Sequence, residues 1–434
     1  MWKFAHFVKK NRVRIKKLSS RKSVLLVVEN LPVPYDRRVW QIALALKAAD
    51  YQVSVVSPAT KRYPKLAENL EGIHVYRYPM LLEGKGYVGL IAEYLWSFVC
   101  IFLLSVFVAL RRGFKVLMMA NPPDIYFPIA WMWRLDGKKT VFDHHDLTPE
   151  LFQTKFKTDH SIILSFFYFA ERCMLRTVNK VISTNESYKM IAMKRGGRHA
   201  DDVVVVRNAP DPTRFAVRAP EPALRKSAKY LVAFLGEIGQ QDGVDVIIRA
   251  IRSINAMMGA DSVHYVLMGA GPHFDQIIAY AHEHGVSGQI TFTGRADNET
   301  ICRVLSTADL AVDPCPYSPH ANVSTATKIM EYMFFSLPIV AFDLLETRRS
   351  GGDSVCYARR GDEGHFCDLI VRLLYNVEQR RSLGRAAHMR LNSALSWRIS
   401  AGNLVTFMDK LVGVDPEAPD PLSLDQLHFD KRED

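Results

Sequence analysis

Between Asp313 and Gly352 the chain places an anion-attracting helix start and a carboxylate within one passage, DPCPYSPHANVSTATKIMEYMFFSLPIVAFDLLETRRSGG. Asp309 to Asp313 reads as a short buried strand, and Tyr317 to Asn322 as a loop with the turn formers Pro316, Ser318, Pro319 and Asn322. Ser324 or Thr325 is then expected to cap a helix running to about Phe335. A helix start presents unpaired N–H groups and a partial positive charge, which favour phosphate by about 0.3–1 kcal/mol when exposed. Glu331, expected about two turns further in, is placed to accept hydrogen bonds from both hydroxyls of a ribose. The plainer alternative is a surface pair of Lys328 and Glu331 at i,i+3. Pro338 starts the apolar strand Ile339 to Phe342, which would hold the site rigidly.

Other residues carry chemistry by type. The strand Lys139 to Asp143 leads into DHHDLTPE, where His144, His145 and Asp146 suit catalysis or metal binding. Adjacent histidines on extended backbone point to opposite faces, which argues against a shared metal. Their plainer role is to hydrogen-bond a crevice wall. Gly236, Gly239 and Gly243 follow the strand Tyr230 to Leu235 and either admit a diphosphate to the backbone or make an ordinary strand–helix turn. Gly269 and Gly271 form a second pair. No Asp-x-Asp pair occurs in the chain, so a divalent ion is not the expected counter-charge of a diphosphate. The expected cations are Lys328 and Arg348, then Arg349 and Arg295.

The first passage resembles the donor-site motif of the family 4 glycosyltransferases with the GT-B fold, especially bacterial enzymes of surface-polysaccharide assembly. Asn322, Val323, Ser324, Thr325, Lys328, Ile329, Glu331, Tyr332 and Met333 carry the resemblance, followed by Phe342, Asp343, Glu346, Thr347 and Arg348. The crevice loop Asn30 to Arg38, NLPVPYDRR, lacks Gly-x-Gly-x-x-Gly, so a dinucleotide fingerprint is not supported, and the passage VVENLPVPYDRRVWQ around it is similar to the same subgroup. The resemblance spans roughly residues 23 to 410. It implies an α/β chain of two Rossmann-like doubly wound domains with an interdomain cleft, a nucleotide-sugar donor, no further cofactor, and retention of anomeric configuration. It also implies that one of His144 and His145, with Asp146, faces the reacting sugars. Gly269 and Gly271 would then lie near the nucleotide base, and Asn208 near the crossing between domains. Three departures stand out: Val323 replaces the first of the family's two glutamates, Ser336 and Leu337 replace a Gly-Lys, and Gln240, Gln241 and Asp242 occupy a loop that usually carries Arg and Lys.

The formal charge of +11 is unevenly placed, with nine Lys or Arg and no Asp or Glu between Met1 and Lys22. This arm carries Trp2, Phe4 and Phe7 and suits an anionic membrane surface; the alternative is a solvated tail. Nucleic acid is not an expected partner, since no recognition motif accompanies the charge. The six cysteines show no C-x-x-C spacing, which fits a reducing compartment. The first apolar run, Val24 to Val28, is too short for a secretory leader. A cytoplasmic protein peripheral to the inner face of the membrane is the resulting expectation. Tyr94 to Leu110 has no charge over seventeen residues, short of the roughly 20 that cross a bilayer. It is a helix dipping into the interface, a buried core helix or a span, and the basic arm favours the first.

Strands are expected at Val24 to Glu29, Gln52 to Ser57, Ile73 to Tyr78, Lys115 to Met119, Asn179 to Ser183 and Val203 to Val206, with a helix over Arg37 to Ala48. A second alternating series starts at Tyr230. The expected boundaries are a basic arm 1–22, a first domain 23–209, a proline-rich linker 210–229, a second domain 230–395, a closing helix 396–412 and an acidic tail 413–434. The expected function is metal-independent transfer of a sugar to a saccharide, such as one linked to polyprenyl diphosphate. A catalytically impaired membrane scaffold and a nucleotide-sugar 2-epimerase are the alternatives.

Overall fold

The computed structural model describes residues 22–80, 86–156, 162–210 and 214–415. The basic arm up to residue 21, residues 211–213 of the expected linker and the acidic tail from residue 416 lie outside the described residues. The chain divides into two units between Arg207 and Asn208, and the first unit takes back the chain from Ser400.

The first unit runs β1 (Ser23–Val27), α1 (Arg37–Ala48), β2 (Gln52–Ala59), β3 (Ala67–Leu70), β4 (Ile73–Pro79), α2 (Gly86–Arg111), β5 (Val116–Ala120), α3 (Phe127–Leu135) and β6 (Lys139–His144). It continues through α4 (Thr148–Phe156), α5 (Ile162–Thr177), β7 (Lys180–Ser183), α6 (Glu186–Gly196) and β8 (Val203–Val205). The sheet order is β3-β4-β2-β1-β5-β6-β7-β8, parallel except for β3, which pairs antiparallel with β4. Every residue of β1 is buried, as a parallel strand covered on both faces requires, and this explains its unbroken apolar run. The sheet reverses its winding between β1 and β5, so ligands are expected at the ends of these strands.

α2 is longer than its uncharged segment and lies along the sheet. Ser97, Ile101, Ser105 and Val108 form a fully buried inner stripe. Ile91, Leu95, Val99, Leu103, Phe107 and Leu110 form an outer stripe, 44–64% exposed. Only 22% of its apolar window is buried, so the core-helix alternative does not describe it.

The second unit runs β9 (Tyr230–Leu235), α7 (Val244–Met258), β10 (Val263–Met268), α8 (Phe274–Glu283), β11 (Ile290–Gly294), α9 (Asn298–Thr307), β12 (Leu310–Asp313), α10 (Pro319–Val323), α11 (Thr327–Phe334), β13 (Ile339–Phe342), α12 (Leu345–Gly351), β14 (Val355–Ala358), α13 (Glu363–Tyr375) and α14 (Val377–Arg390). Its parallel order is β11-β10-β9-β12-β13-β14, with the reversal between β9 and β12. Val244, Ile247, Ile248, Ile251 and Ile254 bury one face of α7, at the helical period. α15 (Trp397–Val412) returns to the first unit, where buried Asp409 accepts hydrogen bonds from Tyr51 Oη at 2.8 Å and pairs with Lys22 Nζ at 3.1 Å.

The reversal in the second unit is fastened by one hydroxyl. Tyr332, fully buried on α11, accepts from Leu235 N at 2.8 Å and donates to Val312 O at 3.2 Å, joining the ends of β9 and β12. Tyr332→Phe leaves the strand-end amide without its acceptor and is expected to lower stability by about 1–3 kcal/mol in urea unfolding at unchanged m-value.

Candidate functional site

At the reversal of the second unit the loop after β9 meets the loop after β12. Gly243 has φ +68, and a Cβ there would stand 2.1 Å from Pro314 O, so only glycine lets the turn into α7 touch this carbonyl. Cys315 Sγ donates to Gln241 O at 3.3 Å across the same seam. A Cβ at Gly269 would fall 1.7 Å from Gly236 O, and one at Gly271 2.5 Å from Ile238 O. These glycines therefore answer first to backbone packed on backbone. Gly239 opens the single 3-10 turn Gln240–Asp242.

Lys328, in the first turn of α11, reaches into this seam. Its Nζ lies 3.4 Å from Asp242 Oδ1 and 3.5 Å from Asp313 Oδ1, and 4.5 Å from the centroid of Phe234. A Cβ on Gly236 would be 2.8 Å from the same Nζ. Burial disfavours the ammonium, but the two carboxylates outweigh it and hold the Lys328 pKa above its ordinary value. Burial also raises Asp242, against the pull of Lys328. One cation thus faces two acids, and Asp242 Oδ2 has no hydrogen-bond donor among the described residues. The alternative of a surface pair between Lys328 and Glu331 gives way to these partners.

The capping expectation is corrected as well. α11 starts at Thr327 behind Ala326, which makes no side-chain cap, while Ser324 Oγ donates back to His320 O at 2.9 Å. That competing local bond removes Ser324 from the cap. Thr325 is half-buried before the helix. Glu331 stands one turn into α11, not two, and is half-buried. Part of the expected loop forms α10 instead, because Ser318 accepts from Ala321 N at 3.0 Å behind Pro319.

The remaining expected cations are held elsewhere. Arg348 is 54% exposed, forks onto Asp343 with two bonds of 2.8 Å and lies over Tyr357. Arg349 pairs at 2.7 Å with buried Glu346. Arg295 is exposed just past β11, and its neighbour Gly294 accepts from Gly269 N at 2.9 Å. Asn208 is half-buried at the start of the second unit. Arg360, which sequence reasoning passed over, donates to Asp343 O at 2.6 Å and lies 4.8 Å from the Tyr317 ring. Its place just after β14, at the carboxyl edge of the sheet, was the available signal.

In the first unit the expected cluster follows β6. Arg38, from α1, forks onto buried Asp143 at 2.6 and 2.9 Å and donates to Val206 O at 3.1 Å. Asp143 in turn binds His145 Nδ1 at 3.2 Å. His144 points the other way, fully buried, with Nε2 3.1 Å from Glu171. Arg195 holds Glu171 and Glu150 together behind it. The two histidines face opposite sides, and only His145, with 14% of its side chain exposed, has access to solvent. Asn121 Oδ1 accepts from His145 N at 2.9 Å and Asp146 N at 3.1 Å, pinning the half-buried Asp146. Arg38 and Asn121 were missed because their partners are remote in sequence.

Burial pushes Asp143 up, but Arg38 and His145 overcome it and hold the carboxyl well below the usual range. Burial lowers His145, yet Asp143 wins and raises it above 6.5.

The description "Glycosyltransferase Family 4" matches residues 36–214 and "Glycosyl transferases group 1" matches residues 229–376. A GDP-mannose-dependent alpha-(1-6)-phosphatidylinositol monomannoside mannosyltransferase of Mycobacterium tuberculosis is 24% identical over 207 residues, 44% of this chain and 52% of that one. The chain spans about half the length of the curated relatives it matches. Sucrose-phosphate synthase from Thermosynechococcus elongatus is similar in fold, with a TM-score of 0.69 at 15% identity over 90% of this chain and 99% of that one. The Anabaena protein HepE, solved with UDP-glucose, gives 0.64 at 15% identity over 90% and 98%.

Because folding raises His145, its charged form contributes stability fully below pH 6.5, and that contribution is lost as pH rises through the folded value. Asp143→Asn is expected to lower the His145 midpoint, followed by imidazole NMR titration. An unchanged midpoint would sever the link between these two groups.

Proposed function

This chain belongs to the glycosyltransferases, family 4 in its first half and group 1 in its second with the GT-B fold, and on that footing we propose that it transfers a sugar from a nucleotide-sugar to a lipid-linked saccharide in bacterial polysaccharide assembly. The observation that carries the reading is Lys328, a buried ammonium in the first turn of a helix at the winding reversal of the second domain. That is where an α/β sheet receives a phosphorylated ligand. Support for the substrates comes from the mycobacterial relative, named for GDP-mannose and a phosphatidylinositol monomannoside, and from HepE with UDP-glucose.

In this proposal Lys328 and the amides of the first turn of α11 meet the diphosphate, and Glu331 holds the ribose. The anomeric carbon–oxygen bond breaks with its electron pair leaving on the diphosphate. The acceptor oxygen bonds the same face of the anomeric carbon, and its proton passes to a departing phosphate oxygen, so configuration is retained and no separate base is required. Stabilising charge on the leaving group is the main term, supplied here by a lysine and N–H dipoles in place of a metal ion. His145 and Asp146, oriented by Asp143 and Asn121, shape the sugar face. The arm and α2 keep the protein on the cytoplasmic face of the membrane, beside such an acceptor.

A second reading, a scaffold that binds nucleotide without turnover, has its own observation: Asp242 already occupies Lys328. Turnover assays with UDP-, GDP- and ADP-sugars and a lipid-linked acceptor decide between them. Lys328→Ala is expected to lower kcat/KM about 10²–10³-fold with chelator leaving the wild-type rate unchanged, and Glu331→Ala to weaken donor binding about tenfold. Binding without turnover would favour the scaffold, and a changed sugar without acceptor the epimerase.

A further inference from the structure

α2, α3 and α5 lie side by side on one face of the first unit's sheet. Trp133 Nε1 on α3 donates to Ser105 Oγ on α2 at 3.1 Å, and Phe127 on α3 meets Phe169 on α5 edge-on, with 6.4 Å between ring centroids. Tyr94 of α2 packs on the cluster of Phe152, Leu164 and Phe167. The outer stripe of α2 is therefore continued sideways. α3 adds Trp131, 61% exposed, and Leu135, 71%; α5 adds Ile162, Phe166 and Phe169, 91%, 49% and 57% exposed. An apolar surface shared by three neighbouring helices marks an interaction site.

The same helices end in exposed cations. Arg111 closes α2, Arg134 closes α3, and Arg172 and Arg176 follow Phe169 on α5. Helices that connect parallel strands run against them, so these three carboxyl ends share one edge of the unit. The acids on the three helices among the described residues are Glu93, half-buried, and Glu171, fully buried against His144 and Arg195. The outward face is thus apolar and cationic, and the exposed Asp136 that caps the end of α3 is paired with Lys138 at 3.9 Å.

We propose that this three-helix face docks on an anionic lipid bilayer, with α2, α3 and α5 lying along the interface and their terminal arginines among the headgroups. The proposal deepens the lipid-linked-acceptor reading and rests on it for its purpose. The charge selects the occupant, because a second copy of the same face would bring like charges together while anionic lipid complements them. Trp131 suits the boundary, where an apolar ring with a polar N–H is favoured. Crossing the bilayer is not proposed, since the inner stripe of α2 already belongs to the sheet.

The test uses the full chain in vesicle sedimentation, with phosphatidylcholine alone and mixed with phosphatidylglycerol. Wild type is expected to bind the mixed vesicles preferentially. Trp131→Glu/Phe169→Glu is expected to lower the partition coefficient at least tenfold, and Arg172→Gln/Arg176→Gln about fivefold per residue on anionic vesicles alone. Both variants are expected to keep the wild-type thermal shift with the nucleotide-sugar, which shows that they fold. Wild-type sedimentation of the Glu variant overturns the proposal. A dimer that this variant dissociates, with no vesicle binding by the wild type, overturns it in favour of a second copy. Failure of nucleotide-sugar binding alongside face-dependent vesicle binding would instead overturn the transferase reading and leave the docking face standing.

Discussion

An ammonium taken out of water must bring its counter-charge with it, and Lys328 meets that requirement with two carboxylates from two different loops. Only 12% of its side chain is exposed, against 16% for Asp242 and 1% for Asp313. Removing one partner of a buried pair costs about 3–5 kcal/mol, far more than any exposed ion pair contributes. The loop after β9 is therefore tied to the end of β12 through this lysine. Gly243 on Pro314 and Tyr332 between the two strand ends repeat the same junction in neutral groups. Three kinds of interaction meet where the sheet reverses its winding, which is why a small group of residues there can be rigid.

The first domain solves the same problem with the signs exchanged. Its buried centre is the Asp143 carboxylate, and the fork of Arg38 neutralises it from the helix after β1. Asp143 keeps a second bond for His145, so the histidine is oriented and its charged form favoured at once. On the other side Glu171 engages His144 and Arg195, and no exposure remains for that ring. Identical neighbours in sequence thus divide into a buried support and a solvent-facing group. The division follows from which carboxylate each ring finds.

The parallel strands were legible because burial on both faces leaves an unbroken apolar run, as in Leu25 to Val28 and Leu231 to Phe234. α7 was legible through its 3.6-residue period. What escaped depended on contacts distant in the chain or on close local competition. Arg38 finds its carboxylate 105 residues away. Ser324 has the composition of a cap, yet the carbonyl of His320 four residues back captures its hydroxyl. β3 pairs antiparallel at the sheet edge with the pattern AENL, too polar for a buried strand to be read there. Gly236, Gly239 and Gly243 were visible as a group, but spacing cannot separate approach to a phosphate from approach to another backbone. The Cβ distances to Pro314 O and Gly236 O show that the second demand is real at Gly243 and Gly269.

α2 shows why a missing period is informative in its own way. A helix with one polar side announces which face is wet, whereas this one is apolar around its circumference and announces nothing. Its inner stripe uses small polar residues to lie close to the sheet: Ser97 donates to Glu29 at 3.0 Å, and Ser105 donates to Phe102 O at 2.7 Å while accepting from Trp133. Burial pushes Glu29 up to about 7, so the carboxyl under the helix is far closer to neutrality than an exposed one. Ile101 and Val108 share that buried stripe, while Leu95, Val99, Leu103, Phe107 and Leu110 stand exposed on the outer positions, where an ordinary surface helix carries polar residues. Two buried serines therefore lie beneath this helix while a full row of large apolar side chains faces outward, an arrangement water alone does not favour.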